Sequence, residues 1–275
     1  MTKDNREENG MDRFANYKTM TFKRDGRVLT VTLNLPDTLN AVNADLHSEL
    51  SRVFIDLNDD PDSDVIVLTG AGRAFCAGGD VDWMQDAIDD PSRFEVTGFE
   101  AKRIIFSQLD LEKPLICRMN GHAIGLGATI ALTCDIVIAA ENAKIGDPHV
   151  SIGLVAGDGG AILWPQMIGY LRAKEYLLTG DPIPAPEAAR MGLINRAVPA
   201  DKLDEDVYAL AHRIASGARK AIRWTKITAN IGLKQLAHSI MDTGVAYESM
   251  SNVSRDHREA VAAFREKRKP VFTGE

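Results

Sequence analysis

Cysteine is scarce in this chain, which has only three, Cys76, Cys117 and Cys134, among 275 residues. They fall in no Cys-x-x-Cys spacing and sit in apolar or glycine-rich stretches. This argues against a disulfide framework and a zinc site, so no metal is expected, and it fits a reducing, cytoplasmic compartment. A basic excess is also lacking: 32 Lys and Arg stand against 39 Asp and Glu, a net charge of −7. No global positive field holds a nucleic acid, and an anionic ligand needs a local basic patch. Long hydrophobic runs are missing too. The most apolar stretch, 121–140, is interrupted by Asp135 and opened by Gly125 and Gly127, so it reads as buried helix and strand rather than as a membrane span. The opening MTKDNREENGMDRF alternates charge and amide without the apolar run of a signal peptide, and residues 1–16 are expected to form a flexible tail.

What is present points to a layered α/β chain. At 45% hydrophobic residues the sequence can bury one sizeable core. The segment YKTMTFKRDGRVLTVTLNLP, from Tyr17, alternates apolar and polar residues around Asp25-Gly26, the pattern of a hairpin. After Asn43, a good N-cap, Leu46, Leu50, Val53, Phe54 and Leu57 form one helical stripe. The short runs 65–68, 114–117 and 135–140 are almost wholly apolar, as strands covered on both faces are. VIVLTGAGRAFCAGGD and LICRMNGHAIGLGAT each run from strand through glycine-punctuated loop towards a helix, and so read as turns of one spiral over 17–202. Beyond Lys202 helical patterns take over: Val207, Leu210 and Ile214 on one segment, Val261, Ala262 and Phe264 on the last. No Pro/Ser-rich linker precedes this helical region, 203–275, so contact with the spiral is expected.

Three features suit chemistry. The loop 71–80, with Gly72, Gly78 and Gly79, can turn backbone amides outward with no side chain in the way. The same glycines also suit a plain strand-to-helix turn. Gly121 to Gly127 is a second such loop, and two of them after neighbouring strands could converge on one oxygen. Third, Gly146-Asp147-Pro148-His149 is followed by a glycine-rich bend holding Asp158, nine positions after the histidine. That spacing suits a base and its orienter, and equally a satisfied loop histidine and a helix cap. His47 beside the apolar stripe and His122 beside Gly121 are second-rank candidates.

These motifs resemble the crotonase (enoyl-CoA hydratase/isomerase) superfamily from about residue 17 to the last. LNLPDTLNAVN is similar to its early CoA-contacting strand and turn, VIVLTGAGRAFCAGGDVDWM to its first oxyanion loop, and Met119 to Gly127 to its second. AKEYLLTGDPIPAPEAARMGLINRAVP and AFREKRKPVF resemble its later segments and terminal helix. The resemblance implies a spiral of strand-strand-helix turns with a C-terminal helical trimerisation region, assembled as a homotrimer or a dimer of trimers. It implies an acyl-CoA substrate, with coenzyme A as part of that substrate and no separate cofactor. The N–H groups of Gly79 and Leu126 would hold the thioester oxygen, with Thr38, Leu39, Ala77 and Gly78 along CoA, and His47 and His122 near the substrate. Leu126 stands where the family usually has glycine. Two glutamates hold water in the well-studied hydratases, and their places are taken here by Thr129 and His149. The Gly-Asp-Pro-His pattern with Asp158 and Trp164-Pro165 resembles instead the 6-oxocamphor hydrolase branch, which cleaves a β-diketone, and this makes His149 and Asp158 the expected acid/base and orienter. An acyl-CoA hydratase or isomerase, a β-diketone hydrolase and an inactive acyl-CoA binder remain as alternatives.

Overall fold

The computed structural model describes residues 11–275. The flexible tail expected over 1–16 lies, for its first ten residues, outside the described residues. Its remainder is tied down, because Phe14 is buried and stacks on Phe22 with ring centroids 4.3 Å apart.

Among the described residues, nine strands form two sheets. The larger has the order β1-β2-β3-β4-β6-β9, made by Met20–Asp25, Val28–Leu33, Val65–Gly70, Leu115–Met119, Ile136–Ala140 and Arg196–Val198. The smaller joins β5 (Ala123–Ile124), β7 (Lys144–Gly146) and β8 (Ile183–Pro184). β1 and β2 form the expected antiparallel hairpin, and its two-residue turn needs Gly26 at φ +57°. Every later pairing in the large sheet is parallel, so each return requires a crossover through a helix or a second strand. The result is the expected spiral. β3 is buried along its whole length, which explains its uninterrupted apolar run.

The helices follow from local signals. Asn43 caps α1 (Ala44–Asp59) by accepting the Leu46 N–H at 2.9 Å, and the whole predicted stripe is fully buried. Asp80 caps α2 (Val81–Asp89), accepting from Asp82 and Trp83 N–H. Then come α3 (Arg93–Asp110), α4 (Leu126–Leu132), α5 (Gly160–Ile168), α6 (Tyr170–Thr179) and α7 (Ala185–Arg190). The C-terminal region is α8 (Leu203–Ala215), α9 (Arg219–Asn252) and α10 (Arg255–Arg265).

This region packs on the spiral instead of standing apart. Leu203, Val207 and Ala211 of α8 share a core with Val65, Val67 and Ile116 of the sheet. α9 is moored near its start, where Lys226 meets Asp135 and the Lys113 carbonyl, both at 2.8 Å, and Arg223 meets Asp64 at 2.9 Å. Among the described residues no helix is long and apolar enough to cross a membrane.

Candidate active site

Two asparagines fix the first glycine loop. Asn40 donates to the carbonyls of Ala71 and Ala74 at 2.9 and 3.0 Å. Asn120 donates to Gly72 and Ala74 carbonyls and accepts the Gly70 N–H. The second loop is stitched to the first, with Cys76 N–H on the His122 carbonyl and Ile124 N–H on the Cys76 carbonyl, both 3.0 Å. Gly127 has to be glycine here, since a Cβ would stand 2.7 Å from Cys76 Cβ and 2.8 Å from its carbonyl oxygen. This stitching uses the neighbouring amides: Ala77 donates to the Leu39 carbonyl and Val42 to that of Gly78. Among the described residues, the N–H groups of Gly79 and Leu126 donate to nothing in the chain. Both residues line the same cavity, about 300 Å³ in volume.

His149 faces that cavity from beneath the second loop. A Cβ on Gly125 would lie 3.7 Å from His149 Cε1 and 3.8 Å from Gly78 Cα, so loops and ring meet at one place. His149 Nδ1 is hydrogen-bonded to Asp147 Oδ1, and its Nε2 stands 3.5 Å from Asp158 Oδ2. Asp158 Oδ1 accepts from Thr129 Oγ1 at 3.2 Å. The expected division of roles therefore changes. Asp147, two residues before the ring and almost wholly buried, is the carboxylate that bonds and orients it, while Asp158 lines the cavity beside His149. Gly160 leaves room for this, because a Cβ there would overlap Asp147 Oδ2.

Charge in the cluster follows from burial and neighbours. Burial opposes a charge on His149, yet Asp147 and then Asp158 outweigh it and hold its pKa well above that of a free imidazole. Asp158 is raised by burial, against the pull of His149 and with the charge of Asp147 adding. A fourth member, Glu248 of α9, is pushed up to about 8 by burial first and by Asp158 next. The two carboxylates thus favour the imidazolium form of His149 and burial favours the protonated form of Glu248, which gives the site protons to donate. Asp147, His149 and Asp158 bring one possible metal-ligand atom each within 4.8 Å of one another. Asp147 bonds one ring nitrogen through Oδ1, and its Oδ2 is buried against Gly160 without a hydrogen-bond partner, so of the three residues only His149 and Asp158 line the cavity.

The other expected residues divide. His47 lines the cavity, its Nδ1 2.7 Å from Glu100 Oε2 and its ring 5.1 Å from that of Trp83. Ala77 and Gly78 line it too. Thr38 and Leu39 do not, since they sit on the turn outside, joined to the site through the Leu39 carbonyl. His122 is a correction: it is exposed, its Nδ1 accepts the Lys144 N–H at 3.0 Å, and it is absent from the cavity wall. His122 precedes β5 and serves the loop stitching instead, its carbonyl accepting the Phe75 and Cys76 N–H groups. The segment 81–89 contributes an apolar wall, with Val81, Trp83, Met84 and Ala87 of α2 on the cavity. Sequence reasoning missed Asp147 as the orienter, and it missed Glu248 and Asn252. The last two come from α9, and Val261 and Phe264 come from α10, so the C-terminal region builds part of the site.

Free amides from two loops, opposite an imidazolium held between carboxylates in an apolar cavity, are the parts of a proton-transferring enzyme. Residues 23–275 match the enoyl-CoA hydratase/isomerase family, and the chain belongs to it. It is 34% identical over 258 residues to a crotonyl-CoA hydratase of Syntrophomonas wolfei, covering 93% of this chain and 98% of that one. Among solved structures, an enoyl-CoA hydratase/isomerase from Mycobacterium paratuberculosis superposes with a TM-score of 0.87 at 39% identity, covering 90% of this chain and 99% of the other. A β-diketone hydrolase from the cyanobacterium Anabaena sp. PCC 7120, bound to (S)-3-oxocyclohexyl acetic acid, gives 0.82 at 31% identity over 88% of this chain and 97% of that one.

Proposed function

We propose that this enzyme adds water to, or removes it from, an acyl-CoA thioester through an enolate whose oxygen is held by the Gly79 and Leu126 N–H groups. One observation carries the reading: the Gly79 and Leu126 N–H groups, without a partner in the chain, line one cavity with His149, which two carboxylates make an acid, and by the family resemblance Thr129 and His149 stand where hydratases carry glutamates. In the hydration direction Asp158 takes a proton from water as its oxygen bonds to the β-carbon. The double-bond electrons move onto the thioester oxygen. His149 then gives its proton to the α-carbon, and the proton on Asp158 crosses the 3.5 Å gap to restore the imidazolium. The test is turnover of a panel of 2-enoyl-CoA esters, with exchange of the α-proton followed in deuterated water. Hydration with loss of both activities in His149→Ala is the expected result, and a chain that binds the esters without either activity overturns the reading.

A second reading, hydrolysis of a carbon–carbon bond in a β-diketone, is favoured by the likeness to the Anabaena hydrolase together with the His/Asp pair. Asp158 would activate water for attack on one carbonyl, and His149 would protonate the enolate carbon that leaves. A thermal shift with cyclic β-diketones and none with CoA esters selects it.

A further inference from the structure

The reacting groups leave one part of the cavity unexplained. Asn252, the last residue of α9, is 3% exposed and lines the cavity one helical turn, about 6 Å, beyond Glu248. Its amide Nδ2 donates to the Ala87 carbonyl at 3.3 Å. The local sequence fixes that orientation. The residue four beyond Ala87 is Pro91, which has no N–H to offer, and a carbonyl can only accept, so the amide nitrogen of Asn252 must point that way. Asn252 Oδ1 is then left towards the cavity as an acceptor that takes nothing from the described residues.

His47 repeats the pattern at 2% exposure. A carboxylate accepts only, so Nδ1 carries the hydrogen shared with Glu100, and Nε2 is left on the cavity side without a partner in the chain. Thr97, also on the wall, spends its hydroxyl hydrogen on the Arg93 carbonyl at 3.2 Å. Apart from His149, Asp158 and Glu248 the remaining wall is apolar, and among the described residues no Lys or Arg lines it.

We infer that the acyl group carries a hydroxyl remote from its thioester, which donates its hydrogen to Asn252 Oδ1. A methyl in that place leaves a buried acceptor unsatisfied, and a ketone sets acceptor against acceptor. A carboxylate meets Asp158 with no cation but His149, which two carboxylates already engage. This inference rests on the acyl thioester reading and names its substrate class.

The experiment compares 2-enoyl-CoA esters of equal length ending in hydroxyl, methyl or carboxylate. We expect kcat/KM for the hydroxyl ester to exceed that for the methyl ester by about tenfold or more, with the carboxylate poorest. Asn252→Leu should bring the hydroxyl-to-methyl ratio close to one, and Asn252→Ser should keep part of it. Equal turnover of hydroxyl and methyl esters, or a ratio untouched by Asn252→Leu, overturns the inference while leaving the thioester reading intact. If no ester turns over, that reading falls. The inference is then decided by calorimetry on hydroxylated and plain cyclic β-diketones, where equal affinities overturn it.

Discussion

His149 owes its charge to two neighbours that do different work. Asp147 holds the ring from behind, and Asp158 shares the cavity with it. Removing the imidazole with His149→Ala should cut turnover by at least roughly 100-fold, the ordinary worth of positioned acid-base groups. Asp147→Asn withdraws the larger of the two carboxylate supports, so the His149 pKa should fall, and the alkaline limb of the pH–rate profile should move to lower pH. An unmoved limb would show that Asp147 is merely structural. Glu248 offers a prediction about stability. Its carboxyl rises from an ordinary 4.5 to about 8 in the fold, so the unfolded chain releases this proton first, and stability is lost progressively as pH climbs from 4.5 to about 8. Glu248→Gln lacks this titration. Its melting temperature should match the parent near pH 4 and exceed it increasingly up to pH 8, and a constant gap would sink the assignment. The sequence made His149 and Asp158 visible through their glycine-rich setting. It hid Asp147 in plain sight, because a tetrapeptide does not reveal which way a ring faces. Glu248 had no local signal at all.

At the scale of elements, short-range chemistry was legible and long-range contact was not. The β1-β2 hairpin and the capped, striped α1 were readable because turn, cap and apolar period lie within a few residues. α9 was not, because its 34 residues bury only Ala237, Met241 and Asn252 completely, too few to print a stripe. Its position depends instead on a backbone crossing. A Cβ on Gly157 would overlap the Gly244 carbonyl, so the loop that holds Asp158 and the helix that holds Glu248 touch main chain to main chain. Gly157→Ala should force them apart, destabilising the protein by about 1–3 kcal/mol, the usual range for overpacking. It should also lower the Glu248 pKa as water enters, which titration of the site by NMR would register. Full stability with an unchanged carboxyl would refute the crossing as the positioning device.

For the whole molecule, the apolar surface asks for partners. Leu171 is 87% exposed and Leu178 71%, both on α6, and Trp224 of α9 is 63% exposed. Large apolar side chains left this exposed are common at surfaces that meet a partner. A trimer, or a pair of trimers, is the assembly we propose, to be checked by light scattering at micromolar concentration, where a monomer alone would exclude it. Phe264 of α10 is 65% exposed as well, at the edge of the cavity. α9 also ties distant parts of one subunit together. Its 34 residues span about 50 Å along the axis. Near its start Lys226 and Arg223 grip Asp135 and Asp64, residues that stand just before β6 and β3, whereas its last two turns carry Glu248 and Asn252 into the cavity. The helix is therefore a strut from the foot of the sheet to the reacting atoms. Slack at its mooring would travel as a rigid displacement and arrive at the wall beside His149 and Asp158, so the Lys226–Asp135 pair bears on the shape of a cavity it does not line.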